Sequence, residues 1–311
     1  MKHERGFNLV EALVAACIAA LLLTGLFTLY LNNKHSYNIH ETLATVQDNG
    51  RYALDLLTRE VRRAGFFGGI VDINSVTGTS APLPANASCP AHSTDWGRMI
   101  NQAIFGLDET RGGYGCIHTN GQRSAYLQGD IVAIRYATPV STITDPQRLY
   151  LRTAFVSGRL FTGQLANHPA NALASAGSDH ELTANAFYIG KTQRHCLTHP
   201  VPALFRKMLN NHGIPESEEL VSGIENLQVQ YGVDSDNDGT IDRYQDAGSV
   251  AQWQQVIAAR LWILARAECP EIGYTNNHTY VLGNITLVPN DSFRRQLHST
   301  TVALRNHATP L

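Results

Sequence analysis

The sequence has no run of basic residues beyond its first five positions. Its 24 lysine and arginine residues are balanced by 26 aspartate and glutamate residues, which gives a net charge of −2. Proteins that bind nucleic acid usually concentrate lysine and arginine in a patch or a stripe. The sequence therefore gives no indication of a nucleic-acid partner.

Motifs of common catalytic sites are also absent. The chain contains no Gly-x-Ser-x-Gly nucleophile motif, no phosphate-binding loop and no His-Glu-x-x-His zinc motif, and its 13 histidines are scattered. The sequence predicts no catalytic residue, and it favours a structural or binding protein over an enzyme.

What the chain does have is a long apolar segment close to its start. The stretch from Ala12 to Leu31 contains 20 residues without a charge. At ~1.5 Å of rise per residue, a helix of this length crosses a hydrocarbon layer of ~30 Å. Glu11 lies at the start of this segment. Burying an unpaired carboxylate in a hydrocarbon layer costs free energy, so a glutamate at this position indicates a functional role.

The segment Gly6-Phe7-Asn8-Leu9-Val10-Glu11 resembles the processing site of the type IV pilin superfamily. The resemblance implies that a prepilin peptidase cuts between Gly6 and Phe7 and methylates the new amino terminus. It also implies that Glu11 pairs with the terminal amine of Phe7 on a neighbouring subunit. Lys2 and Arg5 are expected on the cytoplasmic side of the inner membrane.

Three other interpretations of this segment remain open. A plain single-pass anchor explains its length but not Gly6-Phe7 followed by Glu11. A cleaved signal peptide ending near Ala19-Ala20 would have a shorter apolar core. A lipoprotein signal, suggested by Val14-Ala15-Ala16-Cys17, would place Glu11 inside the apolar core.

The apolar segment is followed by residues with helical periodicity. Small and apolar residues recur every three or four positions from Ile39 to Ala64 and define one helix face, while Arg62, Arg63 and Gly65 provide an end signal. We predict an α+β fold of the type IV pilin kind, in which a long helix packs on an antiparallel sheet with a large, loop-rich, disulfide-bonded head. The predicted divisions are a leader (1–6), a transmembrane half-helix (7–31), an amphipathic half-helix (32–64) and a β-rich head (65–311).

Beyond residue 65 the sequence predicts loops followed by strands. Residues 68–121 are rich in glycine, proline, serine and asparagine, which favours loops. A short helix is predicted at Pro202–Asn210. Strands are predicted at Asp130–Tyr136, Ala186–Lys191, Leu227–Val233, Val256–Arg266, Thr279–Leu287 and Ser299–Arg305.

Four of the five cysteines follow the apolar segment, in the part expected in the oxidising periplasm. Cys17 is expected to pack as a small apolar residue, whereas an even number of cysteines in the head predicts two disulfides. Three pairings are possible, and we favour Cys89–Cys116 and Cys196–Cys269 because the first closes a short loop. The alternative, zinc binding by Cys196 with its neighbouring histidines, lacks a second pair of ligands.

The stretch from Asp234 to Asp242 resembles the first part of an EF-hand calcium loop. Acidic residues alternate there, and Gly239 occupies the sixth position, where a sharp turn is needed. The sequence predicts a calcium site, the only cofactor expected, with ligands from Asp234, Asp236, Asp238, Thr240 and Asp242. Gln245 replaces the usual final glutamate, and Asp246 is the candidate for its role. The alternative is a polar turn that binds no metal.

Two further segments resemble the PilW family of type IV pilus-assembly proteins. They are the stretch Leu227–Asp234 with its acidic loop, and the ending Arg294–Asn306. The resemblance implies a minor pilin that primes pilus assembly in the inner membrane, with its head in the periplasm, and then occupies the pilus tip. Its expected partners are other minor pilins, the major pilin, the prepilin peptidase, the inner-membrane assembly platform and a large tip adhesin.

Two other functions remain open. A J-type pseudopilin at the tip of a type II secretion filament would have a similar leader and helix. A binding module, either an adhesin or a DNA-uptake receptor, would use the filament as a stalk.

Overall fold

The computed structural model describes residues 9–70, 72–79, 95–109, 117, 124–173, 175 and 177–306. Helix α1 spans Leu9–Arg63, and the short helix α2 spans Asp95–Arg98. The chain divides into two compact units, one through Thr45 and one from Val46 onward. Gly65 ends the long helix with a φ of 80°, a value that glycine adopts without strain.

The strands are β1 (Val76–Thr77), β2 (Ile104–Leu107), β3 (Tyr126–Pro139), β4 (Leu149–Ala154), β5 (Ser157–Thr162), β6 (Ser178–Cys196), β7 (His199–Leu209), β8 (Pro215–Ser222), β9 (Ile224–Val233), β10 (Arg243–Asp246), β11 (Val256–Arg266), β12 (Tyr280–Leu282), β13 (Ile285–Leu287) and β14 (Arg295–Ala303).

The larger sheet has the order β1-β5-β4-β6-β3-β2, and β7 pairs with both β6 and β8. All its pairs are antiparallel except β1 with β5. The smaller sheet has the antiparallel order β10-β9-β11-β14, and β12 pairs with β13 in a separate hairpin. The predicted α+β class, with a long helix and mainly antiparallel sheets, is therefore confirmed.

The main core of the second unit lies between the helix and the two sheets. On the helix, Val46, Gly50, Ala53, Leu57 and Val61 are buried, at the three- and four-residue spacing expected of one helix face. The four of them that have side chains join apolar residues of β3, β6, β9, β11 and β14 in one cluster. Leu43, which also belonged to the predicted face, is exposed, so the packed part of that face begins at Val46.

A second apolar layer covers the opposite face of the larger sheet. Trp96, Met99 and Ile100, in and just after α2, pack there against side chains such as Tyr188 and Leu182 of β6. Because both faces of β6 are covered, seven successive residues from Ala184 to Gly190 are buried.

The predicted helix at Pro202–Asn210 is wrong, because these residues lie almost entirely in β7. Leu204, Phe205 and Met208 have helical spacing, but β7 pairs with β6 on one side and β8 on the other. This pairing overrides the local preference. The strand predicted at Thr279–Leu287 is also wrong as a single element, because Gly283 has a φ of 58° and turns the chain between β12 and β13.

Candidate functional site

The first unit presents an apolar helix surface without a covering layer among the described residues. The side chains of Leu9, Leu21 and Phe27 are all more than 60% exposed. The polar groups of this segment are satisfied inside the helix: the hydroxyl of Thr24 donates to the Leu21 carbonyl (2.8 Å), and that of Thr28 donates to the Thr24 carbonyl (2.6 Å). By length and composition, α1 is able to cross a membrane.

Glu11 lies in the first turn of α1 and is exposed. It is the only charged residue between Leu9 and Leu31. Gly6 and Phe7, the predicted processing site, lie outside the described residues. Cys17 is an exposed free cysteine on the apolar helix. Its packing as a small apolar residue in a membrane stays a prediction.

A close contact fixes the helix on the smaller sheet. A Cβ atom added at Gly50 would overlap the imidazole of His298 in β14 and would lie 3.1 Å from the Cβ of Ala265 in β11. Burial is the main cause of the lowered pKa of His298, and the positive charge of Arg51 lowers that pKa further. The neutral ring therefore fills the space that the missing side chain of Gly50 leaves.

The head contains the predicted disulfide between Cys196 and Cys269, whose Cα atoms are 5.2 Å apart. It ties the hairpin of β6 and β7 to the segment after β11. Cys196 is therefore not a free thiolate, and the alternative zinc site has lost its sulfur ligand. Cys89 and Cys116, the other predicted pair, lie outside the described residues.

The acidic loop connects β9 to β10. Carboxylate oxygens of Asp234, Asp236 and Asp242 all lie within 4.8 Å of one another. Asp234 is buried, and its two oxygens accept from the backbone N–H groups of Asp238 (3.1 Å) and Gly239 (2.8 Å). Gly239 has a φ of 87°, which permits the sharp turn predicted for this position.

Two of the predicted ligands are placed differently. The carboxylate of Asp238 accepts from the backbone N–H (2.7 Å) and the hydroxyl (2.6 Å) of Thr240 and is not part of the convergent group. Asp246, the candidate for the final ligand, accepts from Gln230 (2.9 Å) and Asn284 (2.9 Å), both outside the loop.

The environment of the acidic loop shifts the pKa values of Asp236 and Asp242 in opposite directions. The N–H group of Asp238 lowers the pKa of Asp236, but desolvation and the carboxylates of Asp238 and Asp242 outweigh this bond, so the pKa of Asp236 is raised. Asp242 accepts from the hydroxyl and the N–H of Ser235, and these bonds lower its pKa. Three convergent carboxylates with one raised pKa have the donor chemistry that suits a hard cation.

Sequence reasoning did not find a buried charge cluster near the disulfide. Arg295 is almost fully buried and donates to both oxygens of Glu225 and to both oxygens of Asp291. The guanidinium of Arg266 lies over the Phe293 ring, 4.1 Å from its centroid. These residues join β9, β11 and β14, and their wide separation along the chain left no local pattern to recognise.

The C-terminal part of the chain is similar to a known protein family. Residues 186–306 match the family model of type IV pilus-assembly protein W, PilW. The match covers less than half of the chain and includes the acidic loop, the whole of β7 and the part of β6 from Ala186 onward. No curated protein sequence matches the chain.

Two solved structures are similar to parts of the fold. A type IV-like pilin, TTHA1219 from Thermus thermophilus, is 14% identical with a TM-score of 0.39, and the match covers 84% of this chain and 97% of that one. A chain of the GspK-GspI-GspJ complex of the enterotoxigenic Escherichia coli type 2 secretion system is 10% identical with a TM-score of 0.30, and the match covers 81% and 96%. Both TM-scores lie below 0.5, so neither similarity bears on function.

Proposed function

We propose that this protein is a minor pilin that primes assembly of a type IV pilus and is located at or near its tip, because residues 186–306 match the family model of type IV pilus-assembly protein W. The observation that carries the proposal is helix α1. Its first part is apolar, exposed and interrupted by a single carboxylate, and one face of its last part is buried in the head. Such a helix is suited to insertion into a membrane and then to packing with other helices.

The proposed processing produces the charge that Glu11 requires. Cleavage between Gly6 and Phe7 would create an amino terminus at Phe7, four residues before Glu11. An isolated carboxylate in an apolar bundle is costly, and a positive amine on a neighbouring subunit would offset that cost. Pairing would therefore set the register between subunits, while the apolar helix surfaces would supply packing area.

The size of the head supports a low-copy position. The compact second unit runs from Val46 to the end of the chain and contains two large sheets. A head of this size is hard to repeat along a thin filament but is accommodated at an end. At the tip it would contact other minor pilins through its helix and a large adhesin through its exposed surface.

Substitution of Glu11 tests the assembly mechanism. We expect Glu11→Ala to be processed to a chain beginning at N-methylated Phe7 but to be lost from sheared filaments. Glu41→Ala is the matched control, because Glu41 is an exposed glutamate on the same helix outside the apolar run. A mature chain that begins at Met1, or equal amounts of Glu11→Ala and wild type in filaments, would contradict the mechanism.

We also propose that the acidic loop binds calcium through Asp234, Asp236 and Asp242, with the Thr240 carbonyl as a further ligand. The ion would neutralise carboxylates that otherwise repel one another. Addition of calcium to EGTA-treated full-length protein in detergent should raise the thermal midpoint, and Asp236→Asn should reduce this shift. Asp48→Asn, an exposed substitution on the helix, is the control. No shift with calcium in the wild type would rule out the site.

A J-type pseudopilin is the second candidate, because the apolar helix suits a secretion filament equally well. Deletion of a pseudopilin would block exoprotein secretion and leave surface pili unchanged. A tip-located binding module is the third candidate. It would bind a surface or DNA while its deletion left the number of pili unchanged, and DNA binding would depend steeply on salt.

A further inference from the structure

The larger sheet contains a gap on one edge of β6. Strand β3 pairs along the other edge, so β4 and β7 share this one. The ladder with β4 ends at Glu181, opposite Tyr150, and the ladder with β7 begins at Asn185, opposite Met208. The three residues between Glu181 and Asn185 span ~10 Å at ~3.3 Å per residue.

A cleft of about 310 Å³ lies at this gap. Its walls come from the start of β4 and the end of β7, including Leu149 and Leu209, and Thr183 lies between them. The opposite face is closed by α2: a Cβ atom at Gly97 would lie 2.8 Å from a methyl carbon of Leu149 and 3.1 Å from one of Leu209. The cleft is therefore a pocket with an apolar base rather than a hole through the sheet.

The charged residues that line the cleft are Arg148, Glu181 and Arg206. Arg148 is paired with Glu181 and more distantly with Asp145 (3.8 Å), while Arg206 is paired with Glu218. The Nε atom of each arginine is buried without a hydrogen bond among the described residues. Both guanidinium groups therefore keep donor capacity that the described residues do not use.

Polar groups line the side of the cleft that faces the helix. Tyr136 and Asn185 contribute to its lining, and each is bonded to Glu60 of α1, with 3.3 Å between the Tyr136 hydroxyl and a Glu60 oxygen and 3.0 Å between the Asn185 amide and the same oxygen. Glu60 therefore accepts hydrogen bonds from Tyr136 and Asn185 and forms an ion pair with Arg63. These contacts make it unavailable to pair with Arg148 or Arg206.

We propose that this cleft binds a carboxylate carried on a short apolar stem, either a free organic acid or an acidic side chain of another protein. The carboxylate would accept from the guanidinium groups of Arg148 and Arg206, and the stem would contact Leu149, Met208 and Leu209. A charged acceptor suits these donors because charge-assisted hydrogen bonds are stronger than neutral ones. The proposal is independent of the assembly role of the helix and adds a ligand site to the head.

Calorimetric titration of the full-length protein in detergent tests the site with two probes, glutarate and the capped peptide acetyl-Val-Glu-Val-amide. We expect saturable binding of at least one probe, weakened about tenfold or more by Arg206→Gln and by Arg148→Gln, which corresponds to ~1.4 kcal/mol or more. Arg305→Gln, an exposed substitution outside the cleft, should leave binding unchanged. Binding of glutarate alone would identify a free acid, and binding of the peptide alone would identify a protein side chain.

A second variant separates loss of the site from loss of the fold. Thr183→Tyr fills the cleft without changing its charge, and it should block binding while circular dichroism and the thermal midpoint remain those of a folded protein. Absence of saturable binding for both probes would overturn the proposal. Equal binding by the wild type and folded Arg148→Gln, Arg206→Gln and Thr183→Tyr variants would also overturn it.

Discussion

At the scale of single residues, Asp130 makes the stability of the head depend on pH. Its carboxylate accepts from the N–H groups of Glu109 (3.2 Å) and Val229 (2.7 Å), so it links β3 to β9 in the other sheet. Burial is the main cause that raises the pKa of Asp130 to about 7. The two backbone hydrogen bonds lower this pKa, and the negative charges of Asp108 and Glu109 raise it further.

A raised carboxyl pKa means that the folded state holds its proton more tightly than the unfolded state. The contribution of Asp130 to stability is therefore fully present below pH 3.8 and is lost as the pH rises through about 7. We expect the free energy of unfolding, measured with urea between pH 5 and pH 8, to fall less steeply in Asp130→Asn than in the wild type. Equal slopes would contradict the assignment.

Gly50 gives a second prediction at this scale. Alanine is ordinarily better than glycine inside a helix by ~1 kcal/mol. At Gly50 the added Cβ would overlap His298, so we expect Gly50→Ala to lower the free energy of unfolding by ~1–3 kcal/mol. Denaturant titration of Gly50→Ala, His298→Ala and the double variant checks this, because removal of the imidazole should restore most of the loss. Additive losses in the double variant would contradict the contact.

At the scale of elements, the disulfide links two segments that are far apart in the sequence. Cys196 and Cys269 are 73 residues apart and join the β6–β7 hairpin to the end of β11. Constraint of so long a loop in the unfolded chain stabilises a protein by ~2–4 kcal/mol. We expect the double substitution Cys196→Ser and Cys269→Ser to lower the free energy of unfolding by this amount, measured by denaturant titration without reductant. A change within error would show that the bond does not limit unfolding.

The elements also show what the sequence could and could not predict. Strand β11 was predicted at its observed bounds, Val256–Arg266, because alternate residues from Ile257 to Ala265 form one apolar face. Trp262 and Leu264 make its other face partly apolar, and in the structure the strand lies between β9 and β14. Strand β7 was predicted as a helix because its pairing with β6 and β8 leaves no mark on local spacing. The short strand β10 was missed, since only its register with β9 defines it.

The same difference applies to the candidate sites. The acidic loop is a continuous stretch of sequence, so its turn at Gly239 and most of its carboxylate cluster were predictable. The roles of Asp238 and Asp246 were not, because hydrogen bonds to Thr240, Gln230 and Asn284 decide them. The cleft between β4 and β7 combines residues from distant strands, and it becomes visible only in the folded sheet.

At the scale of the whole molecule, one helix combines two tasks. Its first part presents apolar surface and Glu11, and its last part is a core element of the head. This division suits a subunit that is held in a membrane before it enters a filament. The segment that matches the PilW family model, residues 186–306, lies entirely in the head. The proposed priming role therefore requires both parts in one chain.

The measurement that tests this account most directly is a count of surface pili by electron microscopy in a clean deletion strain, with exoprotein secretion assayed in parallel. We expect few or no pili and normal secretion in the deletion strain, with pili restored by the wild-type chain. The count should not recover with a chain that lacks residues 1–31, because that chain has lost the proposed processing site, Glu11 and the apolar part of α1. Normal numbers of pili in the deletion strain would contradict the account.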